Sequence, residues 1–134
     1  MKALFRSLAL FSAILLAGMS CLAAVEDDIQ IRDGNALLSV CGNFVNALDR
    51  GTRLSEKDVV TLAACTSYLR GFTHGVALLS REPQQGAGYC IDESIPSAQV
   101  ARVLVKYLRE NPKNLHLHPA VLTVQALREG FPCK

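Results

Sequence analysis

The sequence predicts an all-α fold: a small four-helix domain stapled by two disulfides. Three observations lead there. Apolar residues recur three and four apart through most of the chain beyond residue 30, the period of a helix packed on one side. No segment alternates apolar and polar residues as a half-buried strand does. The cysteines beyond an N-terminal leader are even in number, as in small exported domains.

The leader is residues 1–24. Lys2 and Arg6 make a positive start, and Leu8 to Ala17 is a short apolar run. Cys21, Ala23 and Ala24 are small residues, followed by Glu26, Asp27 and Asp28. That order is the pattern of a secretory signal peptide, with cleavage expected after Ala23 or Ala24. A membrane anchor needs a longer apolar run. Lipidation at Cys21 is disfavoured because Gly18 stands where such a signal has leucine. The remaining domain is residues 25–134. The whole chain carries 14 Lys and Arg against 12 Asp and Glu, a net of +2. Without Lys2 and Arg6 the signs balance at 12 each, so charge gives no reason to expect a nucleic acid or an anionic membrane as partner.

The first helix is expected in "DGNALLSVCGNFVNALDRG". Leu37, Leu38, Cys41, Phe44, Val45 and Leu48 share one face, Asp33 or Asn35 can cap the start, and Gly51 can end it left-handed. The second begins at Ser55, with Asp58 three residues on as a capping box. Leu62, Cys65, Leu69, Phe72 and Val76 form its stripe. Gly71 and Gly75 inside it suggest close approach of a neighbour or a bend, or else a helix that breaks near Gly75. A long polar loop, "REPQQGAGYCIDESIP", follows. The third helix is expected from a Ser97 cap, with Val100, Val103, Leu104, Tyr107 and Leu108 inward, and Asn111-Pro112 ending it. The fourth starts at Pro119, turns Val121, Val124 and Leu127 inward, and closes at Gly130.

Cys41, Cys65, Cys90 and Cys133 allow three pairings. The helix map ranks them. Cys41 and Cys65 lie equally far on either side of the first interhelical turn, near Arg53, and both fall in core stripes. Cys90 and Cys133 both lie outside the third and fourth helices, at one open end. The expected pairs are therefore Cys41–Cys65 and Cys90–Cys133. In the chain-entropy model these crosslinks contribute roughly 3.5 and 4 kcal/mol. The penultimate Cys133 then serves to tie the tail to the long loop.

Catalysis finds little support. A cysteine nucleophile needs a free thiolate beside a base, and pairing removes all four thiols. Among the histidines, His116 and His118 in "LHLHP" could chelate a metal on an extended segment, but two ligands are too few. His118 reads better as a residue at a helix start, and His74 as a partly exposed helical histidine able to respond to pH. Asp92 and Glu93 are adjacent, so they do not form a catalytic pair. No phosphate-binding loop or nucleophile elbow is present. The reading is a binding protein rather than an enzyme, with no catalytic residue, no metal and no cofactor.

Four segments, "DGNALLSVC", "YLRGFTHG", "CIDESIPSAQ" and "VKYLRENPKNLHLHPAVLTVQALREGFPC", occurring in this order over residues 33–133, together resemble the Rap/Tai family of immunity proteins. The resemblance implies a periplasmic, mostly helical protein, often a homodimer. Such a protein binds a peptidoglycan-cleaving amidase effector of type VI secretion and plugs its active-site cleft. Family members often carry proline directly after the Cys-Ile pair, whereas here Pro96 comes several residues after Ile91. The matched residues Asp33, Gly34, Cys41, Tyr68, Gly71, Cys90, Pro112, Phe131, Pro132 and Cys133 are structural in type. For the inhibitory contact the candidate is the loop over residues 81–94, anchored through Cys90, with Arg81, Glu82, Gln84, Gln85 and Tyr89 as the contact side chains. Two other classes fit the same features: a periplasmic stress chaperone, and an envelope binding module with another ligand.

Overall fold

The structure is a computed structural model and describes residues 30–133 apart from 52, 80–86 and 93. The expected leader, residues 1–24, lies outside the described residues. Four α-helices and one short 3₁₀ turn follow in order: α1 (Gly34–Arg50), α2 (Glu56–Leu79), α3 (Ser97–Glu110), the 3₁₀ turn Pro112–Asn114, and α4 (Pro119–Gly130). The all-α expectation holds, and so do both disulfide pairs, Cys41–Cys65 and Cys90–Cys133.

α1 starts where Asp33 caps it, its carboxylate accepting the Ala36 N–H at 2.9 Å. That bond holds the Asp33 carboxyl below its ordinary range. Gly51 ends the helix at φ 62°, a left-handed turn open to glycine at no steric cost. At the other end, Gly34 has no room for a side chain. A Cβ there would meet the Leu122 side chain and stand 2.8 Å from the Leu115 carbonyl. The Gly34 N–H instead donates to the Leu117 carbonyl at 3.2 Å, which docks the start of α1 on the turn before α4.

α2 opens with the expected capping box. The Ser55 N–H donates to Asp58 at 2.9 Å, and the Asp58 N–H donates back to the Ser55 hydroxyl at 3.2 Å. Arg50 at the end of α1 joins the same carboxylate at 2.7 Å. The helix runs through Gly71 and Gly75 without a break. Neither glycine is a point of close approach, because a Cβ on either would meet nothing within 4 Å. The expectations of a break and of close approach are therefore corrected. Of the expected stripe, Cys65 and Leu69 are buried, while Leu62, Phe72 and Val76 are half-buried.

α3 packs against all three other helices. Its cap is Pro96, and Ser97 is its first residue rather than its cap. Pro96 carries no side-chain acceptor, so the first turn of α3 lacks a capping bond. Val100, Ala101, Leu104, Val105 and Leu108 are buried, and Val103 and Tyr107 sit at the margins of that face. α4 is rotated from the expected face. It buries Leu122, Thr123, Ala126 and Leu127, while Val121 is 47% exposed and Val124 is half-buried. A threonine can lie at the centre of this face because its hydroxyl is satisfied twice. It donates to the Pro119 carbonyl at 2.9 Å and pairs with the Tyr68 hydroxyl of α2 at 2.9 Å. Gly130 closes α4 as expected, and the reason is contact: the Val103 side chain occupies the place of a Cβ.

Leu37, Leu69, Leu104, Leu108, Leu122 and Leu127, from all four helices, are the largest fully buried side chains. Burying each contributes about 1.5–3 kcal/mol.

Candidate functional site

The sequence-predicted contact residues are placed as follows. Arg81, Glu82, Gln84 and Gln85 lie outside the described residues. Tyr89 does not project from the surface; it is 4% exposed, with its ring in the core. Cys41, Cys65, Cys90 and Cys133 are in disulfides, which leaves no free thiol among the described residues. His118 caps α4, its Nδ1 accepting the Ala120 N–H at 3.2 Å, and His116 is exposed beside it.

The segment that carries Tyr89 is fixed from several sides. Gly88 turns the chain at φ 72°. The Ala87 carbonyl accepts a bond from Arg128 Nε at 2.6 Å, and the Cys90 N–H donates to the Phe131 carbonyl at 2.8 Å. The Cys90–Cys133 bridge lies beside that bond. Beyond it, the Ser94 N–H donates to the Asp92 carboxylate at 2.8 Å. Ser94, through its hydroxyl and then its amide, holds the Asp92 carboxyl below its ordinary range.

Between this segment and the second half of α2 lies a cleft of about 460 Å³. Its apolar lining comes from Leu69, Ala77, Tyr89, Ile91, Ile95 and Val100, and its polar lining from Arg70, Thr73, His74, Asp92 and Ser97. Burial pushes the Tyr89 hydroxyl up from its ordinary pKa, so it is a neutral hydrogen-bond donor at physiological pH. The cleft was not read from the sequence. Its two walls come from separate stretches of the chain, and the only local sign is Arg70 and His74 one helical turn apart on α2.

The chemistry on offer is recognition. Donors, one carboxylate and an apolar floor can hold a ligand, and among the described residues no hydrogen bond joins His74 to the Thr73 or Ser97 hydroxyl. No described helix is long and apolar enough to cross a membrane. Compared with known proteins, residues 33–133 match the family model of the Rap1a immunity proteins. No curated protein and no solved structure gives a match.

Proposed function

The chain belongs to the Rap1a immunity proteins, and from that premise we propose that it protects its cell by binding and occluding a peptidoglycan-cleaving amidase effector of type VI secretion. The observation that carries the reading is the family match, which runs from the α1 cap at Asp33 through the last cysteine. Two features support a binding role over a catalytic one. Cys41, Cys65, Cys90 and Cys133 are all paired, and the cleft sets polar side chains, Arg70 among them, beside an apolar floor. Paired cysteines also suit an oxidising compartment, so the proposed place of action is the periplasm, reached by the signal peptide over residues 1–24. The proposed inhibitory element is the loop over residues 81–94, with Arg81, Glu82, Gln84 and Gln85 as its contacts and Cys90–Cys133 holding its far end. The proposed assembly is a homodimer.

The test is capture from the cell envelope with the tagged chain, followed by a peptidoglycan hydrolysis assay on the captured protein. The expected result is an amide-bond hydrolase that loses activity in proportion to added chain. A captured hydrolase that works equally well with the chain in excess would overturn the reading.

A further inference from the structure

We propose that the cleft between the second half of α2 and the wall made by Tyr89, Ile91, Asp92, Ile95 and Ser97 is a recognition site for a short peptide segment of a partner protein, one that carries a single carboxylate next to an apolar side chain.

The first observation is Tyr89. Its side chain is 4% exposed, yet its hydroxyl takes no hydrogen bond from the described residues. Among those residues, no fully buried side-chain nitrogen or oxygen lacks a partner. The Tyr89 hydroxyl is therefore not sealed inside the core, and the opening that Tyr89 lines is the cleft. A ring held rigidly in a core, with its donor facing an open site, has already met the ordering cost of binding.

The second observation is the start of α3. Its N-cap is Pro96, which supplies no side-chain acceptor, and its first turn holds no acidic residue. The Gln99 and Val100 N–H groups turn back to the Pro96 carbonyl, but those of Ser97 and Ala98 have no acceptor among the described residues, at a helix start that lines the cleft through Ser97. The third is Arg70 on the facing wall, which has no ion-pair partner among the described residues. Helix end, guanidinium and phenol all favour an acceptor with negative charge. Asp92 is the one acidic residue among the described lining, and its carboxylate is already engaged by Ser94. It opposes a second negative charge, which favours one carboxylate over a doubly charged phosphate.

The apolar floor gives the second half of the specificity. Leu69, Ile91, Ile95 and Val100 line a space of about 460 Å³. That lies within the range of about 300–1,000 Å³ typical of small-ligand sites, and it holds an aliphatic side chain with its neighbouring backbone. The wall at residues 87–92 is clamped by the Cys90–Cys133 bridge and by Arg128 on the Ala87 carbonyl, so the site is preformed. The inference rests on the preceding reading only in taking a protein as the source of the segment.

The test uses the disulfide-bonded chain purified after export, with isotopic labelling for NMR. The probes are N-acetyl-Leu-Glu-amide and its uncharged counterpart N-acetyl-Leu-Gln-amide. The expected result is saturating shifts at Arg70, Tyr89 and Ser97 with the Glu probe, and at least tenfold weaker binding of the Gln probe. Arg70→Gln should weaken the Glu probe about tenfold, and Tyr89→Phe about fivefold, while thermal melts show both variants folded. No saturating shift at these residues, or equal binding of the two probes, overturns the proposal. Probe binding at the cleft with no hydrolase captured would leave the site standing and remove the immunity reading. Capture of an inhibited hydrolase with no probe binding would do the reverse.

Discussion

α2 is held differently from the three helices around it. Of its 24 residues only Thr61, Cys65 and Leu69 are buried, whereas α1 buries eight of 17. Val59, Val60 and Leu78 of α2 are exposed at 50, 40 and 88%. The glycines tell the same story. Gly34 of α1 and Gly130 of α4 stand where no Cβ fits, while Gly71 and Gly75 of α2 face open space. A helix with so little buried surface depends on its covalent tie and on its cap. The other three depend on side-chain fit. The difference bears on function, because Arg70 and His74 of the cleft ride on the second half of α2.

The largest expected effect follows from the two bridges. Chain entropy alone ranks Cys90–Cys133 higher, since it closes 43 residues against 24. Burial reverses the order. Cys41 and Cys65 are both 0% exposed and sit within helices, so their loss leaves a void that no fraying relieves. Cys133 lies past the end of α4, where the tail can loosen and recover part of the cost. Replacing Cys41 and Cys65 together by alanine should cost about 5 kcal/mol, and the same change at Cys90 and Cys133 about 3 kcal/mol. Urea unfolding of the two double variants measures this. Equal midpoints, or the reverse order, would break the contrast between α2 and the packed half.

The glycines sharpen the contrast, because one substitution should take opposite signs in the two regions. Gly34→Ala drives a methyl group into Leu122 and toward the Leu115 carbonyl, and backbone yields little. A loss of about 2–3 kcal/mol is expected, as for other overpacked sites. Gly71→Ala and Gly75→Ala meet no obstacle and gain helix propensity, so each should stabilise the isolated chain by up to about 1 kcal/mol. Thermal melts at low protein concentration give both signs. A destabilising Gly75→Ala would mean that the outer face of α2 is covered in solution.

Much of this fold was legible because its signals are local. The Asp33 cap, the left-handed Gly51, the Ser55–Asp58 box and the Asn111-Pro112 stop each involve neighbours in sequence. The two disulfides were legible at one remove, since antiparallel helices fix which positions lie side by side. What failed depended on distant partners. Thr123 is a poor core residue until Tyr68, 55 positions away, supplies a bond, and the inward face of α4 turns on that pair. Gly130 reads as a helix stop, although Val103 is what demands it. The site was the least legible part. Tyr89 looked like a surface anchor by residue type, yet the core claims its ring, and the cleft it lines exists only once α2 and α3 are side by side.

The smallest effect concerns the cap on which α2 starts. The Ser55 amide and hydroxyl, and then Arg50, hold the Asp58 carboxyl down to about 2, against an ordinary value of 3.8. The folded chain therefore binds this proton less readily than the unfolded chain. The stability it contributes is fully present above the ordinary carboxylate value and is lost as pH falls from about 4 through about 2. Asp33 and Asp92 are shifted in the same direction, so each adds to the stability lost as pH falls below the ordinary carboxylate value. Asp58→Asn keeps an oxygen to accept from Ser55 but drops the charge facing Arg50 and the helix dipole. Its urea midpoint should start slightly lower at neutral pH and fall less steeply between pH 4 and pH 2, so that the two curves converge in acid. Solvent screens the site, and the gap at neutral pH should be smaller than any change above. Parallel curves would show that α2 does not draw on this carboxylate, and would leave the Cys41–Cys65 bridge to hold the start of the helix unaided.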